Sequence, residues 1–162
     1  MFQGIKKLFG GKKEEGQILA PVAGQAVPLS EVPDPAFAQE ILGKGVAILP
    51  SENEFKAPAS GEVTVLFETG HAVSIRTESG ADVIVHIGLD TVNLKGQFFI
   101  THVKQGDTVK AGDLLITADI EQIKAAGYEV ITPVLVCNVS DFPDMVCHTG
   151  KAVKAMDEII TL

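Results

Sequence analysis

Cysteine is scarce. Cys137 and Cys147 are the only two in 162 residues, too few for a disulfide framework. Their scarcity fits a reducing compartment, and a cytoplasmic protein is expected. No run approaches the roughly 18–20 apolar residues of a membrane-spanning helix. The N-terminus has no unbroken apolar stretch with a cleavage site behind it, which argues against a signal peptide. Cations are in the minority, 13 Lys and Arg against 21 Asp and Glu, for a net charge of −8. That balance argues against nucleic acid as the main ligand and suits a basic partner. Charged residues make up 21% of the chain and hydrophobic ones 46%, which excludes a disordered chain. The length suits one domain with a substantial core.

From Gln17 onward, short apolar segments are punctuated at close intervals by Gly, Pro, Asp and Ser. Strands are expected at 18–20, 25–28, 46–49, 62–68, 71–77, 82–88, 98–104, 108–110, 114–118, 130–136 and 152–154. Two stretches read as helical: Ala36–Leu42, with Phe37 and Ile41 four apart, and Ile120–Ala126, with Asp119 as N-cap and Gly127 beyond its end. The fold class that follows is all-β, an antiparallel β-sandwich or flattened barrel with one or two short helices, over residues 17–162 as a single domain. Ala20-Pro21-x-x-Gly24 and Ala57-Pro58-x-x-Gly61 read as similar turn-then-strand corners, with Thr132-Pro133 as a poorer third copy. Residues 1–16 stand apart. Met1, Phe2, Ile5, Leu8 and Phe9 would share one helix face, with lysines on the other sides and Gly10-Gly11 ending the pattern. A weak membrane-surface contact through residues 1–13 and a flexible tail are the two readings of this segment.

Two histidines stand out. His86 lies in Val83-Ile84-Val85-His86-Ile87-Gly88, and His71 lies fifteen positions earlier among apolar and β-branched residues. The segment from His71 to Gly88 reads as a hairpin turning at Ser79-Gly80. A connection of two or four residues pairs Thr77 with Asp82, Val73 with His86 and His71 with Gly88. The rings then become diagonal neighbours on one face, with Cα atoms roughly 7–8 Å apart. Thr69, Val73 and Ile84 would share that face, and Val83, Val85 and Ile87 would enter the core. A three-residue connection would send the rings to opposite faces. A converging pair can hold a phosphoryl group or a metal. For phosphoryl transfer, a neutral imidazole nitrogen attacks phosphorus while the neighbouring ring donates to a phosphoryl oxygen. Thr69 is placed to fix the tautomer of His71, and the Gly88 carbonyl that of His86.

The motifs Phe67-Glu68-Thr69-x-His71-Ala72 and Val85-His86-x-Gly88-x-Asp90-Thr91-Val92-x-Leu94-x-Gly96, with Val32-Pro33-Asp34-x-x-Phe37-Ala38, resemble the glucose-type IIA component of the bacterial phosphoenolpyruvate-dependent sugar phosphotransferase system. The likeness runs from about Ile18 to Leu162. It implies a cytoplasmic phosphohistidine carrier, a transferase component that needs no cofactor, with His86 phosphorylated through Nε2 and His71 as the supporting ring. The implied donor is phospho-HPr, and the implied acceptor is the IIB domain of a glucose-family permease. The implied docking surface is Phe37, Ile41, Leu42, Phe67, Ile84 and Val92, with Asp34 and Asp90 placed to receive an arginine of HPr. Ala36 supplies less bulk there than the family leads one to expect. Regulatory partners that sense the phosphorylation state are also a property of the family. A chain that starts at methionine with its own leading segment is expected as the free form.

Two other readings share these residues. His71 and His86 form a zinc pair only if a third ligand comes from elsewhere. A zinc hydrolase of the lysostaphin type needs a His-x-His pair, where this chain has Ile84 and Gly88 two positions either side of His86. The phrase Val103 to Leu114 is similar to the hairpin of biotinyl and lipoyl carriers but lacks their lysine setting, and is read as a structural motif. His102 is expected on a surface or edge, Cys137 as a small core residue, and His148 and Cys147 on opposite faces.

Overall fold

The structure, a computed structural model, describes residues 16–162. The segment assigned to 1–16 lies, but for Gly16, outside the described residues. In chain order the strands are β1 (Gln17–Leu19), β2 (Gly24–Pro28), β3 (Lys44–Pro50), β4 (Glu54–Lys56), β5 (Gly61–Leu66), β6 (Ala72–Thr77) and β7 (Asp82–His86). They continue with β8 (Phe99–Thr101), β9 (Thr108–Val109), β10 (Leu114–Ala118), β11 (Thr132–Val136), β12 (Val146–Cys147), β13 (Lys151–Val153) and β14 (Glu158–Thr161). An eight-stranded sheet runs β13-β2-β3-β11-β7-β6-β5-β9, and two three-stranded sheets run β1-β14-β12 and β4-β10-β8. Every pairing is antiparallel. The result is a β-sandwich, as the punctuation of the sequence implies.

The large sheet buries side chains on both faces. Its inner face carries Val46, Ile48, Val73, Ile75, Val83, Val85, Val134 and Val136 into a core shared with Ile18, Phe55, Ile116, Ile159 and Ile160 of the smaller sheets. Its outer face carries Val27, Ala47 and Leu135 into a second cluster, closed by Leu29, Val32 and Phe37. The continuous apolar run of β11 follows from this double burial. The cap over the outer cluster contains α1 (Pro35–Ala38), started by Asp34, whose side chain accepts the Ala36 N–H at 3.0 Å. The expected helix over 36–42 stops at Ala38. Glu40 takes φ +59, turning the chain back so that Lys44 can pair with Val136 of β11. Ile41 and Leu42 are left on an exposed loop. The second helix, α2 (Ile120–Ala125), starts as expected, with the Asp119 carboxylate accepting the Gln122 N–H, and ends one residue early, with Ala126 as its cap and Gly127 following at φ +95. Among the described residues no helix is long and apolar enough to cross a membrane.

Three strands carry too little signal to be expected. β4 has one apolar residue between two charges, β12 has two exposed residues, and β14 places Ile159 and Ile160 side by side, both buried. Cys137 corrects the core assignment: the strand ends at Val136 and Cys137 is exposed. His102 is exposed as expected. The two Ala-Pro corners do resemble one another, and they bond to each other, Leu19 N–H to the Pro58 carbonyl and Lys56 N–H to the Pro21 carbonyl, each at 2.8 Å. Thr132-Pro133 is no such corner, because it lies inside β11. The phrase from Val103 to Leu114 contains two Lys-x-Gly-Asp turns. In each, the aspartate accepts the lysine N–H at 2.9 Å, and Lys154-Ala155-Met156-Asp157 repeats the device at 2.8 Å.

At Gly45 the backbone of β3 comes so close to β11 that only glycine fits. A Cβ at Gly45 would stand 1.9 Å from the Val134 carbonyl oxygen. Gly45→Ala is expected to destabilise the fold by about 1–3 kcal/mol or more, read as a lower midpoint in thermal or denaturant unfolding.

Candidate functional site

β6 and β7 pair as Ala72 with His86, Val73 with Val85, Ser74 with Ile84 and Arg76 with Asp82. Beyond Arg76, the Thr77 N–H donates to the Ala81 carbonyl at 2.9 Å, so Glu78-Ser79-Gly80 is a three-residue connection, the case expected to send the rings to opposite faces. Val73 consequently faces the core, opposite Val85, and Ser74 takes its expected place on the outer face. His86 and Ile84 point outward from β7. The rings nevertheless meet, with centroids 5.1 Å apart and planes at 82°.

His71 lies outside the ladder, which explains how. β6 begins at Ala72, and the preceding Gly70 is at φ +74, so the alternation of the strand does not govern His71. Its carbonyl accepts the Ile87 N–H at 2.7 Å, anchoring it across from the end of β7. Ala72, directly opposite His86, is fully covered on the outer face.

Each ring is held by one nitrogen and one aromatic wall. His71 Nδ1 is hydrogen-bonded to the Thr69 hydroxyl, and Phe67 packs on that ring with centroids 5.1 Å apart. His86 Nδ1 lies 2.7 Å from the Gly88 carbonyl oxygen, and Phe37 packs on it with centroids 5.2 Å apart. A carbonyl oxygen only accepts. Nδ1 of His86 therefore carries the proton, and Nε2 presents a lone pair. Gly88 itself is at φ +79, and a Cβ there would stand 2.6 Å from the Glu129 carbonyl oxygen. No other residue fits.

Burial keeps both rings neutral at pH 7. It pushes His71, 3% exposed, down to about 4, with the proximity of His86 as the second cause. His86 is also lowered by burial, against the Gly88 hydrogen bond and the charges of Asp34 and Asp90, which favour the protonated ring. Among the described residues no three His, Cys, Asp or Glu side chains gather as metal ligands.

The expected docking residues divide. Ile41 (67% exposed), Leu42 (49%), Val92 (48%) and Phe67 (40%) present apolar surface to solvent. Asp90 is exposed, at φ +59 in the turn after β7, and Asp34 is half-buried at the start of α1. Ile84 is half-buried against the outer cluster. Phe37 departs from expectation: at 5% exposed it is a wall behind His86, not a contact surface. Its spacing from Ile41 suggests a shared helix face, but the helix ends between them. Thr91 is a residue that the sequence reading passed over. It is fully buried, and its hydroxyl donates to the Ile87 carbonyl at 2.6 Å. Its place in the motif three residues beyond Gly88 is the only signal for it.

Residues 16–142 match the family model described as phosphoenolpyruvate-dependent sugar phosphotransferase system, EIIA 1. The chain belongs to this family. It is a phosphotransferase component that receives a phosphoryl group from HPr and passes it to the IIB domain of a glucose-family permease. It is 43% identical over 141 residues to the glucose-specific EIIA component of Oceanobacillus iheyensis, covering 87% of this chain and 86% of that one. It is 50% identical over 125 residues to the β-glucoside-specific EIIBCA component of Bacillus subtilis, covering 77% of this chain but only 20% of the larger protein. Among solved structures, glucose permease IIA from Mycoplasma capricolum matches with a TM-score of 0.80 at 37% identity, covering 89% of this chain and 93% of that one.

Both rings bind protons less readily folded than unfolded, where an ordinary histidine titrates near 6.5. The unfolded chain therefore takes up protons first as pH falls. Stability is expected to be full above pH 7 and to decline from about 6.5 toward 4, with a shallower decline in His71→Gln. Denaturant midpoints against pH check the slope, and an NMR titration of the His71 ring checks the midpoint.

Proposed function

We propose that His86 carries the phosphoryl group on Nε2 and that His71 steadies it during arrival and departure. The observation carrying this reading is the 2.7 Å contact from His86 Nδ1 to the Gly88 carbonyl, which leaves Nε2 as an unprotonated nucleophile beside a second neutral ring. In the forward step the P–N bond to the HPr histidine breaks as the P–Nε2 bond of His86 forms. With the Thr69 hydroxyl donating to Nδ1 of His71, the proton of that ring sits on Nε2, where it donates to a phosphoryl oxygen and spreads charge as it develops. Thr69 orients His71 and Gly88 orients His86. The aromatic walls restrict water and slow hydrolysis.

Ile41, Leu42, Phe67 and Val92 form the apolar docking patch, flanked by Ile84. Asp34 and Asp90 at its rim receive a basic side chain of HPr. The protein works in the cytoplasm, where HPr and the IIB domain meet it. Phosphorylation adds charge to the centre of the patch, so a regulatory target that docks on the neutral form is released when His86 is phosphorylated. A zinc ion on the same histidine pair needs a further ligand from a docked partner.

With phosphoenolpyruvate, enzyme I and HPr, the wild-type chain is expected to take up one acid-labile, base-stable label, and His86→Ala to take up none. His71→Gln is expected to accept label on His86 but to pass it to IIB far more slowly, because the amide replaces one hydrogen bond and not the ring. Normal labelling of the His86 variant would overturn the assignment.

A further inference from the structure

The tautomer of His86 depends on one carbonyl, and that carbonyl sits in a left-handed turn that needs holding. The Gly88–Leu89 peptide is gripped at both ends: its oxygen accepts from His86 Nδ1 at 2.7 Å, and the Leu89 N–H donates to the Glu129 carbonyl at 3.0 Å. Gly88 at φ +79 is steered by what surrounds it. The Glu129 carbonyl oxygen and the Thr91 methyl stand 2.6 and 2.7 Å from where a Cβ would be. The Thr91 hydroxyl closes the turn from the far end, donating to the Ile87 carbonyl at 2.6 Å, four residues back. Thr91 is fully buried, and its hydroxyl bonds to backbone, not to a ring. A buried hydroxyl is costly without a partner, so the bond to the Ile87 carbonyl fixes where the Thr91 side chain sits.

We propose that Thr91 is a positioning residue for phosphoryl transfer: its hydroxyl bond locks the Ile87–Thr91 turn so that the Gly88 carbonyl holds the proton of His86 on Nδ1. The inference rests on the reading that His86 is the phosphoryl acceptor. Without the hydroxyl bond the turn loosens, the carbonyl loses its aim and part of the His86 population moves its proton to Nε2. That fraction cannot attack phosphorus through Nε2.

Thr91→Val keeps the shape and removes the hydroxyl, Thr91→Ser keeps the hydroxyl and removes the methyl, and Thr91→Ala is a second hydroxyl-free chain should the valine variant fail to fold. Ring ¹⁵N shifts of His86 at pH 7.5 are expected to show the Nδ1–H form alone in wild type and Thr91→Ser. A mixture with Nε2–H is expected in Thr91→Val or Thr91→Ala. The limiting rate of uptake from saturating phospho-HPr is expected to fall about tenfold in the hydroxyl-free chains, with the half-saturating concentration unchanged. A folded hydroxyl-free chain with the wild-type tautomer and rate overturns the proposal, as does a Thr91→Ser chain as impaired as Thr91→Val. A wild-type chain that takes no phosphate on His86 overturns the acceptor assignment instead, while the tautomer comparison still decides whether Thr91 holds the turn.

Discussion

The hydrogen bond from His86 Nδ1 to the Gly88 carbonyl is the constraint on which the rest of the site depends. An imidazole in water exchanges its proton between two nitrogens, and in His86 only Nδ1 meets the Gly88 carbonyl. A carbonyl oxygen breaks the tie because it accepts and never donates. It does so at low cost in charge: burial keeps His86 neutral, while the carboxylates of Asp34 and Asp90 temper that shift without reversing its direction. The requirement passes backward into the chain. The carbonyl must sit in a left-handed turn pressed against Glu129, so residue 88 must be glycine.

The sandwich supplies what this arrangement needs elsewhere. A sheet packed on its inner face against a large core keeps β6 and β7 in fixed register, and the outer face carries both the histidine pair and the second cluster that helps to hold it. The second cluster, under the Asp34–Ala38 cap, brings Phe37 against His86 from the same outer side. Phe67 does the same for His71. Around these walls the apolar side chains that remain exposed are few, which suits partners that must arrive, exchange one group and leave.

Much of this was legible in the residues. Alternation and punctuation give the fold class, and the paired motifs around Thr69–Ala72 and His86–Gly96 give the site and both tautomer-setting partners. The histidines converge by a different route from the one the strand pattern implies. An even-numbered hairpin connection would bring them together by alternation, whereas the turn has three residues and the alternation is broken at His71. The glycine at position 70 is the sign in the sequence that alternation can break there, and the structure uses it at positive φ. Phe37 sits away from its expected place because a four-residue spacing implies a common helix face only if the helix lasts that long, and this one ends at Ala38. The strands β4, β12 and β14 stayed hidden because their pairing comes from distant partners and not from any local pattern.

Which nitrogen of which ring takes the phosphoryl group decides between this site chemistry and any other. The direct measurement is ¹⁵N–³¹P coupling in the protein labelled with ¹⁵N-histidine and phosphorylated through phospho-HPr. The account predicts a one-bond coupling from phosphorus to Nε2 of His86, with the Nδ1 proton of that ring still present. Coupling to Nδ1 of His86, or to either nitrogen of His71, would contradict it.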